Sequence, residues 1–519
     1  MGLITLTLGL LLAGALLIAF DRDPVHAKIY GLVASTAAFL SSVALAVQFD
    51  PSDAGLQLSE RMTWIPTVGA EFHLAVDGVS LVLILLTTFL TPLILLSSWN
   101  SVSDRVRGYV MAFLVLAATV IGVFAAADLL VFYVFFEFSL VPMYLIIGIW
   151  GGKGRRYAAV KFFLYTLLGG LVMLLGVLYL YAQAGTFDYE AIRALDLGIV
   201  EQRWLFVAFA LAFLVKVPLF PLHTWLPDAH TEAPTGGSVF LAAILLKMGT
   251  FGLLRYSLPL FGDATIEFAP WLLGLSVVGI LYGGIVALMQ KDIKRLIAYS
   301  SVSHMGFVVL GTFALNATAT SASVVQMINH GLSTGALFLL IGFLYDRRHT
   351  RQIAAFGGLA KQVPVMAGLW LVVSMSSLAL PGLNGFVGEF PILLGTFQEV
   401  RWAGVLAAFG AVLAALYLLW AYQRMFHGPL EGADNLNTTD LKPLEIGVLA
   451  PIVVLIVAIG LYPKPLFDVV EPSVDRVLNE VGVVSDEDVA ALDGAEAEDD
   501  DEAESLSAPS RPAVPSTNE

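Results

Sequence analysis

Apolar residues in this chain neither alternate nor mark one face of a helix. They come in unbroken runs of about 18–25, the length a helix needs to cross roughly 30 Å of hydrocarbon. Fourteen runs can be read, at residues 3–20, 27–49, 79–99, 109–126, 129–150, 158–182, 204–222, 236–257, 270–289, 296–315, 323–345, 365–394, 402–425 and 446–463. The pattern predicts an all-α polytopic membrane protein of about 14 transmembrane helices. The first run lacks a basic leader and a clear cleavage site, so it reads as the first helix and not as a removed signal. Residues 50–78 make the longest connection; their Pro, Gly and polar residues leave a short hairpin as one reading.

Two runs are interrupted. The seventh breaks at Lys216-Val217-Pro218, with Pro221, His223 and Pro227 close behind. The twelfth is weakened by Pro381, Gly382, Gly385, Gly388 and Pro391 around Glu389. Proline removes a backbone donor, and non-helical backbone at membrane depth survives only inside protein or beside water. Five helices separate the breaks, so helices 4–8 and 9–13 read as two five-helix repeats, inverted because each holds an odd number of crossings. The chain then divides into residues 1–108 (helices 1–3 and an outward loop), 109–257 and 258–425 (the repeats), 426–484 (helix 14 and a C-terminal segment) and 485–519, an acidic disordered tail.

Charge sharpens this picture. Only 13% of residues are charged against 58% hydrophobic, well below the roughly 25% charged of a soluble protein. The net charge of −15 is concentrated in 485–519, where twelve acidic residues and Arg511 give −11, leaving −4 for the rest. Connections after odd-numbered helices hold sixteen Lys and Arg, from Arg22 to Lys442; those after even-numbered helices hold five, Arg61, Arg193, Arg203, Arg255 and Arg401. Positive charge stays inside, so both termini should face outward from the cell membrane. With no cysteine, the chain has no thiolate-bound iron–sulfur cluster or disulfide. It also has no GxGxxG or GxxxxGK[ST] motif, and GGKG at 151–154 lies in a loop, so no nucleotide site is expected. No metal site or nucleic-acid partner is expected either. His223, Asp228, His230 and Glu232 follow helix 7 at a spacing that matches no standard metal site, and read as a solvated polar loop.

Ionisable residues inside the runs carry the functional signal. A charge at the bilayer centre costs about 2.5–3.5 kcal/mol on insertion scales, so such residues face protein or water. Glu137 lies nine residues into helix 5, where Lys216 is its most economical partner. Lys247 sits mid-span in helix 8 with no acidic residue in its own helix. Burial disfavours the charged form of any lysine, and one that sheds its proton suits a relay. His304 and His330, in helices 10 and 11, belong to the residue type that exchanges protons near neutrality. Ser301, Ser303, Thr250, Ser333, Thr334 and Tyr299 are candidates to hold water beside them. Glu389, in the Gly-rich broken helix, completes the set: Glu137, Lys216, Lys247, His304, His330 and Glu389.

Five extended blocks, in order, resemble the antiporter-like membrane subunits of respiratory complex I, most closely the M-type (chain 4) subunit. They are FFEFSLVPMYLIIGIWGG at 136–152, VKVPLFPLHTWLPDAHTEAPTGGSVFLAAILLKMGTFGLLR at 215–255, QKDIKRLIAYSSVSHMGFV at 290–308, INHGLSTGALFLLIGFLYDRR at 328–348 and LPGLNGFVGEF at 380–390. The resemblance covers about residues 60–465. It implies that Glu137, Lys216 and Lys247 match the family's helix-5 glutamate and helix-7 and helix-8 lysines. Glu389 stands where the L and N types usually carry lysine. No long amphipathic helix is expected after helix 14, which also separates the chain from the L type. By this likeness the chain is a non-redox, proton-translocating subunit of a quinone-reducing enzyme. It binds no cofactor; quinone and NADH, or another donor, act in partner subunits, and L- and N-type chains are its neighbours. Two other readings compete: a subunit of a multi-subunit sodium (cation)/proton antiporter, and an inert membrane scaffold, which the expensive buried charges disfavour.

Overall fold

The computed structural model describes residues 2–483; the acidic segment 485–519 lies outside the described residues. In chain order the main helices are α1 Leu3–Phe20, α2 Pro24–Gln48, α3 Gly78–Ser97, α4 Val106–Ala125, α5 Leu129–Trp150, α6 Arg155–Ala184, α7 Ile199–Lys216 and α8 Thr235–Leu260. They continue with α9 Gly262–Leu288, α10 Ile293–Phe313, α11 Ala317–Arg348, α12a Pro364–Ser377, α12b Asn384–Glu399, α13 Arg401–Phe426, α14 Pro443–Leu461 and α15 Lys464–Val481. Twelve helices among the described residues are long and apolar enough to cross a membrane. The remaining two expected spans are the interrupted ones. The helix α7 carries Glu201, Arg203 and Lys216, and α12 is split by residues 378–383, where Gly382 takes a positive φ of 90°.

Two elements were not placed by the apolar pattern. The strands β1 Gln57–Ile65 and β2 Ala70–Val76 form an antiparallel hairpin, turning through left-handed Gly69 (φ 63°) and pairing Met62 with Phe72. A short amphipathic helix, α15, follows the last span with 18 residues; the sequence reading, which expected no long one there, did not place it. Its buried Val470, Val474, Leu478 and Val481 recur at helical spacing, but Pro472 and four acidic residues mask them in a hydropathy reading. The helix folds back across the start of α3, where any Cβ on Gly78 would collide with the carbonyl of Val469.

The connections sort onto two ends of the bundle. At one end Arg107 donates to the Ile18 carbonyl (2.9 Å), the Trp150 indole to Asp104 (2.9 Å), Gly152 to Glu232 (2.8 Å) and Gly358 to His427 (2.9 Å). At the other end Glu60 accepts from Ile4 (2.8 Å), Ala127 donates to His73 (3.0 Å) and Asn316 to Glu399 (3.3 Å). The first end gathers the basic connections. Arg255 is the exception to the loop reading: it is part of α8, buried, and ion-paired with Asp77 without hydrogen-bond alignment. The outer helices α1, α2, α6, α13 and α14 turn large apolar side chains outward, whereas the central segments of α8 and α11 are entirely enclosed by protein. An enclosed helix that carries lysine or histidine must satisfy it from within the bundle. That requirement places the site.

Candidate functional site

The helix α7 ends on Lys216, and the chain turns through Pro218 and Pro221 before a short helix at Trp225–Glu232. The Trp225 indole donates to the carbonyl of Val215 (2.8 Å), one of the acceptors left free by the break. Gly249 of α8 faces the same turn; a Cβ there would lie 3.0 Å from the Val217 nitrogen. The break is thus a packed feature. Lys216 is 1% exposed, its ammonium 3.4 Å from Ser139 Oγ and 4.5 Å from the centre of the Phe136 ring. Glu137, on the same turn of α5, lies over Gly170 of α6, where only a missing side chain leaves room for its carboxylate. Both its oxygens are buried without a hydrogen-bond partner, and it forms no ion pair with Lys216. The expected pair is therefore near-neighbouring and not closed.

Around Lys247 the helix is not regular. Residues Leu241–Leu245 and Leu253–Ser257 are π-helical, a local widening that frees carbonyls on either side of the lysine. Lys247, 0% exposed, donates to the carbonyl of Ala242 at 2.6 Å and lies 2.6 Å from Nδ1 of His330. The His330 ring centre is 5.9 Å from that of His304. Nδ1 of His304 stands 2.6 Å from Oε1 of Glu389, and Nε2 lies 3.1 Å from the Tyr417 hydroxyl. If that hydroxyl donates to Nε2, Nδ1–H is left to donate to the carboxylate. Gln326 donates to the same Oε1 at 2.8 Å. Four of the six expected residues thus form one run of contacts across α8, α11, α10 and α12b. No hydrogen bond joins Lys216 to Lys247 among the described residues.

The break in α12 lies beside this run. Asn329 donates to the Asn384 carbonyl (2.7 Å), Ser333 and Ser376 are 2.6 Å apart, and Ser376 donates to the Asn384 side chain. Between them a small cavity touches His304, Gln326, Asn329, His330, Ser333 and Ser376, with space for about one water. Gln326 Oε1, Asn329 Oδ1 and His330 Nε2 are buried there without protein partners, the polar lining that a buried water needs.

Some expectations are corrected. Glu389 sits inside α12b and not at the break itself. Ser301 and Ser303 spend their hydroxyls on helix carbonyls and Thr250 bonds Lys247's carbonyl; of the suggested water-holding residues only Ser333 lines the cavity. His223, Asp228, His230 and Glu232 are not a solvated loop: three lie in or beside a packed helix, and His223 and His230 are 3% and 0% exposed. Glu232 accepts from Gly154, and Asp228 pairs with Lys161 at 2.7 Å. No group of metal-binding side chains is found among the described residues. The sequence reading missed Gln326, Asn329, Asn384 and Tyr417. Their only signal was amide or phenol groups inside apolar runs.

A polytopic bundle with enclosed lysine, histidine and glutamate in contact defines a membrane subunit of the proton-handling type. Family models agree: residues 126–414 match the NADH:quinone oxidoreductase/Mrp antiporter membrane family, and 35–124 the amino terminus of NADH-ubiquinone oxidoreductase chain 4. The chain belongs to the M-type (chain 4) antiporter-like subunits of respiratory complex I. It is 46% identical to NADH-quinone oxidoreductase subunit M of Rhodobacter capsulatus over 89% of this chain and 91% of the relative. With NADH-ubiquinone oxidoreductase chain 4 of Arabidopsis thaliana it shares 43%, over 87% and 91%. Among solved structures, a chain of Thermus thermophilus respiratory complex I with bound NADH superposes at a TM-score of 0.85 and 32% identity, covering 92% of this chain and 99% of that one. A chain of an archaeal membrane-bound sulfane sulfur reductase shares the fold, with a TM-score of 0.81 at 24% identity.

Proposed function

We propose that this chain is the proton-translocating, non-redox membrane subunit of an NADH:quinone oxidoreductase. The observation that carries the reading is the contact run Lys247–His330–His304–Glu389 inside enclosed helices. Each member can take and return a proton, and neighbours stand at hydrogen-bond distance or one water apart. The proton passes from the Glu137–Lys216 region to Lys247, then His330, His304 and Glu389, and leaves to the outer side. This order puts His330 before His304. Catalysis belongs to the whole complex: quinone and NADH, or another donor, act in partner subunits, and L- and N-type chains flank this one. Whole-length relatedness to subunit M favours this over a free-standing cation/proton antiporter.

The same reading extends to topology. Counting α7 and the α12 halves gives fourteen crossings, and α4–α8 and α9–α13 form the two inverted repeats. The sorting of alternate connections to opposite ends supports this count. Gly2 and α15 lie at the end away from the basic connections, consistent with both termini outside the cell membrane.

The test is Lys216→Ala and Glu137→Ala in the intact complex, with proton release and quinone reduction measured in parallel. Proton release linked to quinone reduction is lost while the complex still assembles. Normal pumping by both variants refutes the role.

A further inference from the structure

The helix α13 turns large apolar side chains outward, and between Arg401 and Ala421 it carries a single hydroxyl, that of Tyr417. That side chain points the other way. It is 0% exposed, and its hydroxyl oxygen lies 3.1 Å from Nε2 of His304. A buried phenol needs a hydrogen-bond partner, and two polar groups stand within reach of this one. The second is the side chain of Ser300. Ser300 and His304 are four residues apart on α10 and share one face of it, so a hydroxyl between them can turn from one to the other. Ser300 donates its own hydrogen to the carbonyl of Ile297 at 2.8 Å, which leaves lone pairs on its oxygen to accept another.

The two nitrogens of His304 face different groups. Nδ1 stands 2.6 Å from Oε1 of Glu389, a contact that needs a hydrogen between the two atoms. With that hydrogen on Nδ1, the neutral ring offers Nε2 as an acceptor, and the Tyr417 hydroxyl donates to it. A ring that takes a second proton carries an N–H at Nε2 as well. The phenol oxygen must then accept from Nε2, and its own hydrogen turns to Ser300 Oγ. No covalent bond of Tyr417 changes between the two settings. Without the second setting the charged ring would hold a buried N–H with no acceptor, which disfavours the charged form.

We infer that Tyr417 is a positioning residue for the relay: its hydroxyl turns between His304 Nε2 and Ser300 Oγ, so that one imidazole can hold either one proton or two. This rests on the proton-handling role proposed for His304. Loading adds a proton at Nε2 once the hydroxyl hydrogen has turned away, and the phenol oxygen then accepts the new N–H. Unloading passes the Nδ1 proton to Oε1 of Glu389 and leaves a neutral ring with its hydrogen on Nε2, still held by Tyr417. One proton enters the ring and one leaves it.

The experiment measures proton release per quinone reduced in vesicles of the intact complex, from about pH 5 to 9. Tyr417→Phe removes the acceptor for Nε2–H. The alkaline limb, where His304 fails to load, moves to lower pH by about one to two units, the scale of one hydrogen bond to a charged group. Ser300→Ala removes the second setting and moves the limb the same way, and it keeps the test alive if the phenylalanine variant does not assemble. A ring-fluorinated tyrosine at position 417 keeps the hydroxyl but weakens its oxygen as an acceptor, and gives a smaller shift in the same direction. A ratio lowered equally at every pH, with the midpoint unmoved in Tyr417→Phe and Ser300→Ala, means packing only and overturns the inference. His304→Gln separates this from the larger reading. Lost pumping there beside unmoved midpoints leaves the relay standing without the rotor; normal pumping there removes His304 from the relay and the inference with it.

Discussion

Replacing Gly388 by alanine tests the contact run without touching a titratable group. A Cβ at this position would lie 2.8 Å from Gln326 Cβ and 3.0 Å from Gln326 Cα, on the facing helix α11. Carbon atoms settle at about 3.5–4.0 Å, so α12b must withdraw by roughly 0.5–1 Å. The backbone atom cannot rotate aside. Glu389 is the next residue, held at 2.8 Å by Gln326 and 2.6 Å by His304. The same withdrawal stretches the first bond to about 3.3–3.8 Å and weakens the second, past the useful range for proton transfer. Overpacking costs about 1–3 kcal/mol, and the gain of alanine over glycine within a helix returns about 1 kcal/mol. The protein therefore still folds, and stability is a poor readout. The informative assay is proton release per quinone reduced in vesicles, with assembled complex quantified alongside. Gly388→Ala lowers that ratio, whereas Gly368→Ala, which meets nothing within 4 Å, leaves it unchanged. A Gly388→Ala complex that pumps at the normal ratio refutes the assigned role of the Gln326–Glu389–His304 contacts.

Three further outcomes are expected. Lys247→Arg keeps the positive charge but cannot release a proton, so pumping is lost in an assembled complex; retained pumping would mean that Lys247 contributes charge alone. Arg255→Met leaves Asp77 buried without its cation and costs about 3–5 kcal/mol, read as a lowered thermal midpoint of the complex. At the end of the bundle opposite the basic connections, burial raises the proton affinity of Glu190, but the Arg476 hydrogen bond and the Arg193 charge outweigh it and hold the carboxyl below its usual 4.5. A depressed carboxylate stabilises fully above its unfolded value, and that contribution disappears as pH falls through the folded one. Acidification below about 4.5 should therefore lower the thermal midpoint, and Arg476→Leu should flatten that dependence. An unchanged acid slope in the variant would remove the Glu190 assignment.

The spans were legible because hydrocarbon demands long apolar runs, and the buried charges because they interrupt those runs at a cost. Lys216, Lys247 and Glu389 could be named on that ground. Their contacts could not. That Lys247 meets His330 at 2.6 Å depends on a π-turn at 241–245, and no residue in LAAIL announces one. Gln326 and Asn384 matter through partners 63 and 55 residues away, a separation that local pattern does not carry. The helix α15 was hidden for a different reason. Its apolar face is only four residues wide and rests on α3, so its hydropathy is low although its periodicity is clear. Arg255 was misassigned because an arginine near the end of an apolar run resembles a loop residue until Asp77 is found opposite.

The two halves of the proposed path are built differently, and this bears on where control enters. From Lys247 to Glu389 two links are fixed at 2.6 Å, Lys247–His330 and His304–Glu389, and the second is held further by the Gln326 amide and the Tyr417 hydroxyl. Glu137 has no such lock: its carboxylate lacks any hydrogen bond, and the Lys216 ammonium rests on a hydroxyl and an aromatic ring. An unlocked pair responds to small displacements. With an effective dielectric of about 20, moving two unit charges from 6 to 4 Å apart changes their interaction by about 1.4 kcal/mol, a tenfold change in proton equilibrium. Under the proposed function, a shift of one side chain therefore suffices to load or release the lysine. Displacing Glu137 should separate these roles. Gly170→Ala sets a Cβ on the place its carboxylate now fills, so the carboxylate must leave its position beside Lys216, and the variant should assemble with an intact Lys247–Glu389 run yet lose coupling. Coupled pumping at the normal ratio in that variant would show that the position of Glu137 does not set the proton on Lys216.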